Sequence, residues 1–219
     1  MNADRREHQI GATESPWHAV NRLVEAEGAG ANGYLARLAT SGAPRRDQAD
    51  LIHALCAVHG SHPDMIEDAL GSTSVLTERQ WLTAAAAAFA HERLYLSRLT
   101  TAAGPVPRTP GKLESEAAFA GLRQAFGLLA RSGRSGCALG AVAALVADWH
   151  GLRPLLDNAA HRFEIAALPS DLPEDEPPLV ITPAAQRAMM FGAQQLLVQH
   201  RGLWDLLESR AAARDSGRP

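Results

Sequence analysis

The stretch CALGAVAALVA, residues 137–147, decides the fold. No side chain in it is charged or strongly polar. A helix that is apolar all round is buried on every side, so this one belongs at the centre of the molecule. The pattern carries it past Asp148 to about Phe163, with a kink predicted at Pro154.

Helices are predicted on both sides of this centre. Upstream, RSGRSG (131–136) reads as a turn, preceded by a helix over about 112–131. The stiff turn GPVPRTPG (104–111) separates that helix from a long one over about 78–103, with a capping box expected at Thr77 to Gln80. Downstream, LPSDLPEDEPPLVIT (168–182) is an acidic, proline-rich connection, and Thr182-Pro183 caps a last long helix over about 183–210.

The N-terminal part reads as shorter pieces. Ser15-Pro16 starts a helix with Trp17, Val20, Leu23 and Val24 on one stripe, and Tyr34 to Ala39 makes another turn or two. A helix over about 47–58 ends at His59-Gly60, and Ser61 to Asp64 restarts a short one with a serine cap. Strand signals are scarce, and no repeat is visible. The expectation is an all-α fold: a bundle of four to five long helices around a central apolar helix, with short N-terminal helices. Residues 15–210 form one domain, with 1–14 and 211–219 read as a disordered start and tail.

Composition sets outer limits. The chain has 219 residues, 46% of them hydrophobic and 21% charged. That is enough to bury a core without staples. Two cysteines, Cys56 and Cys137, exclude a disulfide scaffold and a four-cysteine zinc site. A net charge of −3 and a pI near 6.3 argue against nucleic acid as a partner. The polar start and the lack of a long apolar run predict no signal peptide and no membrane span, hence a soluble, cytoplasmic protein. Of the 21 basic residues only Lys112 is lysine, and alanine is abundant. Both follow from GC-rich codons, and the alanine also favours helix.

The candidate site comes from ionisable residues at the centres of apolar faces. At about 100° per residue, Glu92 sits among Trp81, Ala85, Ala88, Phe89, Tyr95, Leu96 and Leu99. Asp148 shares a stripe with Cys137, Ala141, Ala144, Leu145 and Leu152, and His200 lies among Met189, Ala193, Leu196, Leu203, Trp204 and Leu207. His59 lies beside Ile52, Leu55 and Cys56. Buried charges must be paired, neutralised or metal-bound. Two carboxylates and two imidazoles are a common ligand set for iron or manganese in a helical bundle. His59, Glu92, Asp148 and His200 are therefore the candidate metal ligands, with His62, His91 and Glu116 in support. Each also has a plain structural reading, as a core group paired with an arginine, a carbonyl or a hydroxyl. His150, Asp157 and His161 form a second set on one face, which reads first as solvated surface. RSGRSG lacks the spacing and lysine of a P-loop and reads as a turn. No G-x-S-x-G, H-E-x-x-H or C-x-x-C occurs.

At HGSHPDMIEDAL (59–70), AHERLYLSRL (90–99) and SGCALGAVAALVADW (135–149), the chain resembles an uncharacterised family of proteobacterial all-α proteins. More distantly it is similar to ferritin-like and haem-oxygenase-like bundles, which implies a site for metals or haem. The ferritin-like pattern has Glu-x-x-His pairs on two helices. Here His91-Glu92 is adjacent and Asp157-x-x-x-His161 is spaced differently, so no catalytic role is carried over. Three functions remain open: a metal-binding protein, with oxidoreductase activity as one form; a non-catalytic interaction or small-ligand module with a structural polar core; and metal-free acid–base chemistry in a pocket. A homodimer is compatible with each.

Overall fold

The computed structural model describes residues 15–177 and 182–216. Over them it is all-helical: α1 (Pro16–Glu27), a 3₁₀ turn (Ala29–Ala31), α2 (Gly33–Leu38), α3 (Arg45–His59), α4 (Met65–Ser72), α5 (Leu76–Ala103), α6 (Lys112–Ala130), α7 (Cys137–Arg162) and α8 (Pro183–Ser216). The expected disorder of residues 1–14 lies outside the described residues.

The apolar stretch 137–147 opens α7, and α7 is the hub. It packs on α1, α3, α4, α5, α6, α8 and the 3₁₀ turn. Leu139, Val142, Leu145, Val146, Trp149, Leu152 and Leu156 are all within 2% of complete burial. At about 25 cal/mol per Å² of apolar surface, such a helix is held by what surrounds it. It runs through Pro154 without ending.

Among the described residues, α7 and α8 share the most extensive helix–helix contact, and their backbones come close. A Cβ on Gly140 would strike the Met189 carbonyl, and one on Gly192 would strike the Cys137 carbonyl. Two glycines, one per helix, therefore let the backbones approach as small residues do in tight helix pairs. Residues 163–177, the described part of the link after α7, run along the outside as a strap. Trp81 Nε1 donates to the Asp175 carbonyl at 3.2 Å, and Leu172 of the strap is buried.

Three local expectations change. α4 is capped by Asp64 rather than Ser61: its carboxylate takes the Ile66 and Glu67 amides while Glu67 reaches back to the Asp64 amide. A carboxylate satisfies two helix-start amides and suits the dipole better than a hydroxyl. α5 starts at Leu76, so Thr77 is already helical and does not cap; Val75 stands at the cap position with no side-chain bond. α8 continues past 210 to Ser216, through the stretch read as a disordered tail. Its end is held by charge: Arg210 and Arg214 are buried against Asp47 and Asp50 of α3.

Candidate functional site

Glu92, Asp148, His200 and His59 are all at least 96% buried. The helices divide them into two polar groups that share Trp149.

The first group surrounds Glu92. α7 presents Trp149 and Arg153, one helical turn apart, toward α5. Arg153 Nη1 bonds both carboxylate oxygens at 3.0 and 2.8 Å. Trp149 Nε1 donates to Oε2 at 3.0 Å, and the Ser170 hydroxyl of the strap donates to Oε1 at 2.8 Å. Each oxygen thus takes two donors. Arg153 spends its other arm on the Leu168 carbonyl and on Asp157, the latter at 3.2 Å. Its guanidinium lies 4.6 Å from the centre of the Tyr95 ring, and the Tyr95 hydroxyl donates to Asp157 at 2.8 Å. Every member is satisfied, so this group is a clamp joining α5, α7 and the strap.

The second group is less complete. The Ala29 amide donates to Asp148 Oδ1 at 2.5 Å, and His200 Nδ1 meets Oδ2 at 2.6 Å. Opposite a carboxylate, Nδ1 carries the proton and the carboxylate fixes the ring's orientation. The chain can bring Ala29 there because residue 28 is glycine: a Cβ on Gly28 would overlap Asp148 Oδ1.

His59 completes this group through its ring. It meets His200 edge to face with centroids 5.2 Å apart, stacks on Phe126 at 5.2 Å and meets Trp149 edge-on at 5.3 Å. Burial, then the neighbouring His200 imidazole, which disfavours a second positive charge, holds the His59 pKa well below its ordinary 6.5. His59 is therefore neutral at neutral pH. Three ring nitrogens of this group are buried with no partner among the described residues: Nε2 of His59, Nε2 of His200 and Nε1 of Trp204. The Trp204 ring lies 5.5 Å from that of His200.

A cavity of about 80 Å³ adjoins His59. Phe89, Phe126 and Leu145 form apolar walls, while Ser61, Asp64, Asp68 and Arg123 supply its polar side. Ser61 and Arg123 are exposed and mark the solvent side.

The remaining expected residues stand apart. His62 is exposed and bonds Glu67 at 2.8 Å. His91 is exposed and bonds Asp171 at 2.9 Å. Glu116 is exposed beside Lys112 at 3.6 Å. None of the three bonds Glu92, Asp148, His200 or His59. Of the second expected set, Asp157 joins the Arg153 clamp and His150 contacts the Pro173 carbonyl at 3.4 Å, while His161 is exposed. Glu92 itself is filled by N–H and O–H donors, and among the described residues no group of three or more His, Cys, Asp or Glu is arranged to hold a metal ion.

Sequence reading missed the buried charges at the end of α8. Arg210 bonds Asp50 at 3.0 and 2.7 Å, and Arg214 bonds Asp47 at 3.1 and 2.8 Å and Asp50 at 2.6 Å. The signal was present: Asp47 and Asp50 are three apart, Arg210 and Arg214 four apart, each pair on one helix face.

A model described as a family of unknown function, DUF6975, matches residues 24–215, and the chain belongs to that family. No curated protein and no solved structure matches it.

Proposed function

We propose that this member of DUF6975 binds a small molecule against His59 and handles a proton there, with His200 behind His59 and Asp148 orienting His200. The observation that carries this reading is the unpartnered buried nitrogen of His59, a residue that lines a cavity, with two more on His200 and Trp204 behind it. Buried polar atoms are normally satisfied, and a cluster that is not marks a place where an occupant or a reaction completes the bonding. The neutral state of His59 supports a role as base, since its lone pair is free at neutral pH. The Asp148–His200 pair supports a role behind it, because a carboxylate on Nδ1 makes Nε2 the better acceptor.

The test is histidine-selective ¹⁵N NMR on the full chain, titrated with a panel of polar compounds of a few non-hydrogen atoms. At least one is expected to shift the His59 ring signals in the wild type and to bind His59→Gln more weakly. A panel that leaves His59 unmoved sinks the reading.

The same two Nε2 atoms favour one alternative: an iron or manganese ion held by His59 and His200, with Asp148 setting His200 as carboxylates do behind ligating histidines. Against it, the indole N–H of Trp204 donates and cannot ligate. Elemental analysis of purified protein grown with added iron and manganese separates the two. Stoichiometric metal that His59→Gln loses supports the alternative.

A further inference from the structure

Resting on the ligand-site reading above, we infer that the molecule received by the His59 cavity is a short monocarboxylate. Its carboxylate meets Arg123 and Ser61, and its other end faces His59.

Charge gives the first argument. Asp64 and Asp68 both line the cavity, and each already holds a guanidinium: Arg93 for Asp64 and Arg131 for Asp68. Asp64 also spends an oxygen on the start of α4. Arg123 is different. Its Nη1 donates to the Ala57 carbonyl at 2.7 Å, and among the described residues it has no carboxylate partner. The unmatched charge on the cavity wall is thus a cation, and His59, being neutral, adds no second one. A guanidinium fork presents parallel N–H donors that match a carboxylate, and the Ser61 hydroxyl stands on the same side.

Size and polarity give the second. A volume of about 80 Å³ is the share of roughly three waters in the liquid, so the occupant has about three to five non-hydrogen atoms. Phe89, Phe126 and Leu145 suit a methyl or methylene group between the charged end and His59. A metal cation or an amine would face the Arg123 charge with no free carboxylate to offset it.

The experiment uses acetate, acetamide and methylammonium as matched anionic, neutral and cationic probes, read by the His59 ring signals and by calorimetry. Acetate is expected to shift His59, and Arg123→Gln to weaken acetate binding at least tenfold. Arg123 is exposed and makes one hydrogen bond among the described residues, so this variant is expected to melt at the wild-type temperature; Arg123→Lys serves as a second variant, retaining part of the affinity. If acetamide or methylammonium moves His59 as well as acetate does, the carboxylate assignment is overturned while the site survives. Acetate binding that is indifferent to Arg123→Gln overturns it equally. If no probe and no other small polar compound moves His59, the site reading falls too.

Discussion

Gly28 is where one missing methyl group decides the chemistry. A side chain there would occupy the space of Asp148 Oδ1 and press on the Val24 carbonyl. Gly28→Ala is therefore expected to lower stability by about 1–3 kcal/mol. Measured in an Asp148→Ala background, the same change should cost less, since part of the clash is with the carboxylate. Equal costs in a denaturant double-mutant cycle would show that Asp148 is not the obstacle. His59 gives a pH prediction. Its folded pKa lies below the unfolded 6.5, so its contribution is present above about pH 6.5 and is lost as pH falls toward the folded value. The melting temperature should drop between pH 7.5 and 5, and His59→Phe should flatten that drop. Asp64, raised above 3.8 by burial, acts with the opposite sign. The wheels found the four inward residues because burial follows helical period. They placed His62, His91 and Glu116 poorly because those sit at a turn or on a flank, where a few degrees separate core from solvent.

Between elements, the α7–α8 seam is the most exacting contact. Gly140 and Gly192 each face the other helix's backbone rather than a movable side chain. Gly192→Ala must push the helices apart, at an expected cost of about 1–3 kcal/mol, read by thermal denaturation. An alanine tolerated without loss would mean that the seam is looser than described. Helix existence was legible from periodicity and from the proline-rich connections. Helix ends were less so, because several side chains compete for each cap: Asp64 won over Ser61, and no side chain won at α5. Residues 211–216 look like a tail in sequence because Ala-Ala-Ala-Arg-Asp carries no apolar stripe. Their helix is fixed by Asp47 and Asp50, more than 150 residues away; the spacing puts each charge pair on one helix face, but nothing local says that the two faces meet.

At the scale of the whole molecule, charge closes the bundle at that end and the aromatic core fills the middle. Asp50→Asn would leave Arg210 and Arg214 sharing one fewer anion in a buried setting. Breaking such a pair costs about 3–5 kcal/mol, so the variant should unfold at a clearly lower urea concentration. An unchanged midpoint would mean that solvent reaches these arginines. The central helix could be read from residues 137–147, and the all-α architecture from the helical periods on either side of it and the scarcity of strand signals. The division of the polar core into a saturated clamp and an unsatisfied ring cluster could not, because it depends on which donors arrive from other helices.

The Ala29–Asp148 bond also has a place in time. It joins residues 119 apart, whereas α7 and α8 are neighbours along the chain. Closing the longer loop carries the larger entropic cost and gains little until both ends are already in place. Pulsed hydrogen exchange during refolding should therefore protect α7 and α8 amides before the Ala29 amide. Until that last amide arrives, His200 has a carboxylate beside it that nothing holds still, and a chain can be nearly all helix yet chemically unfinished.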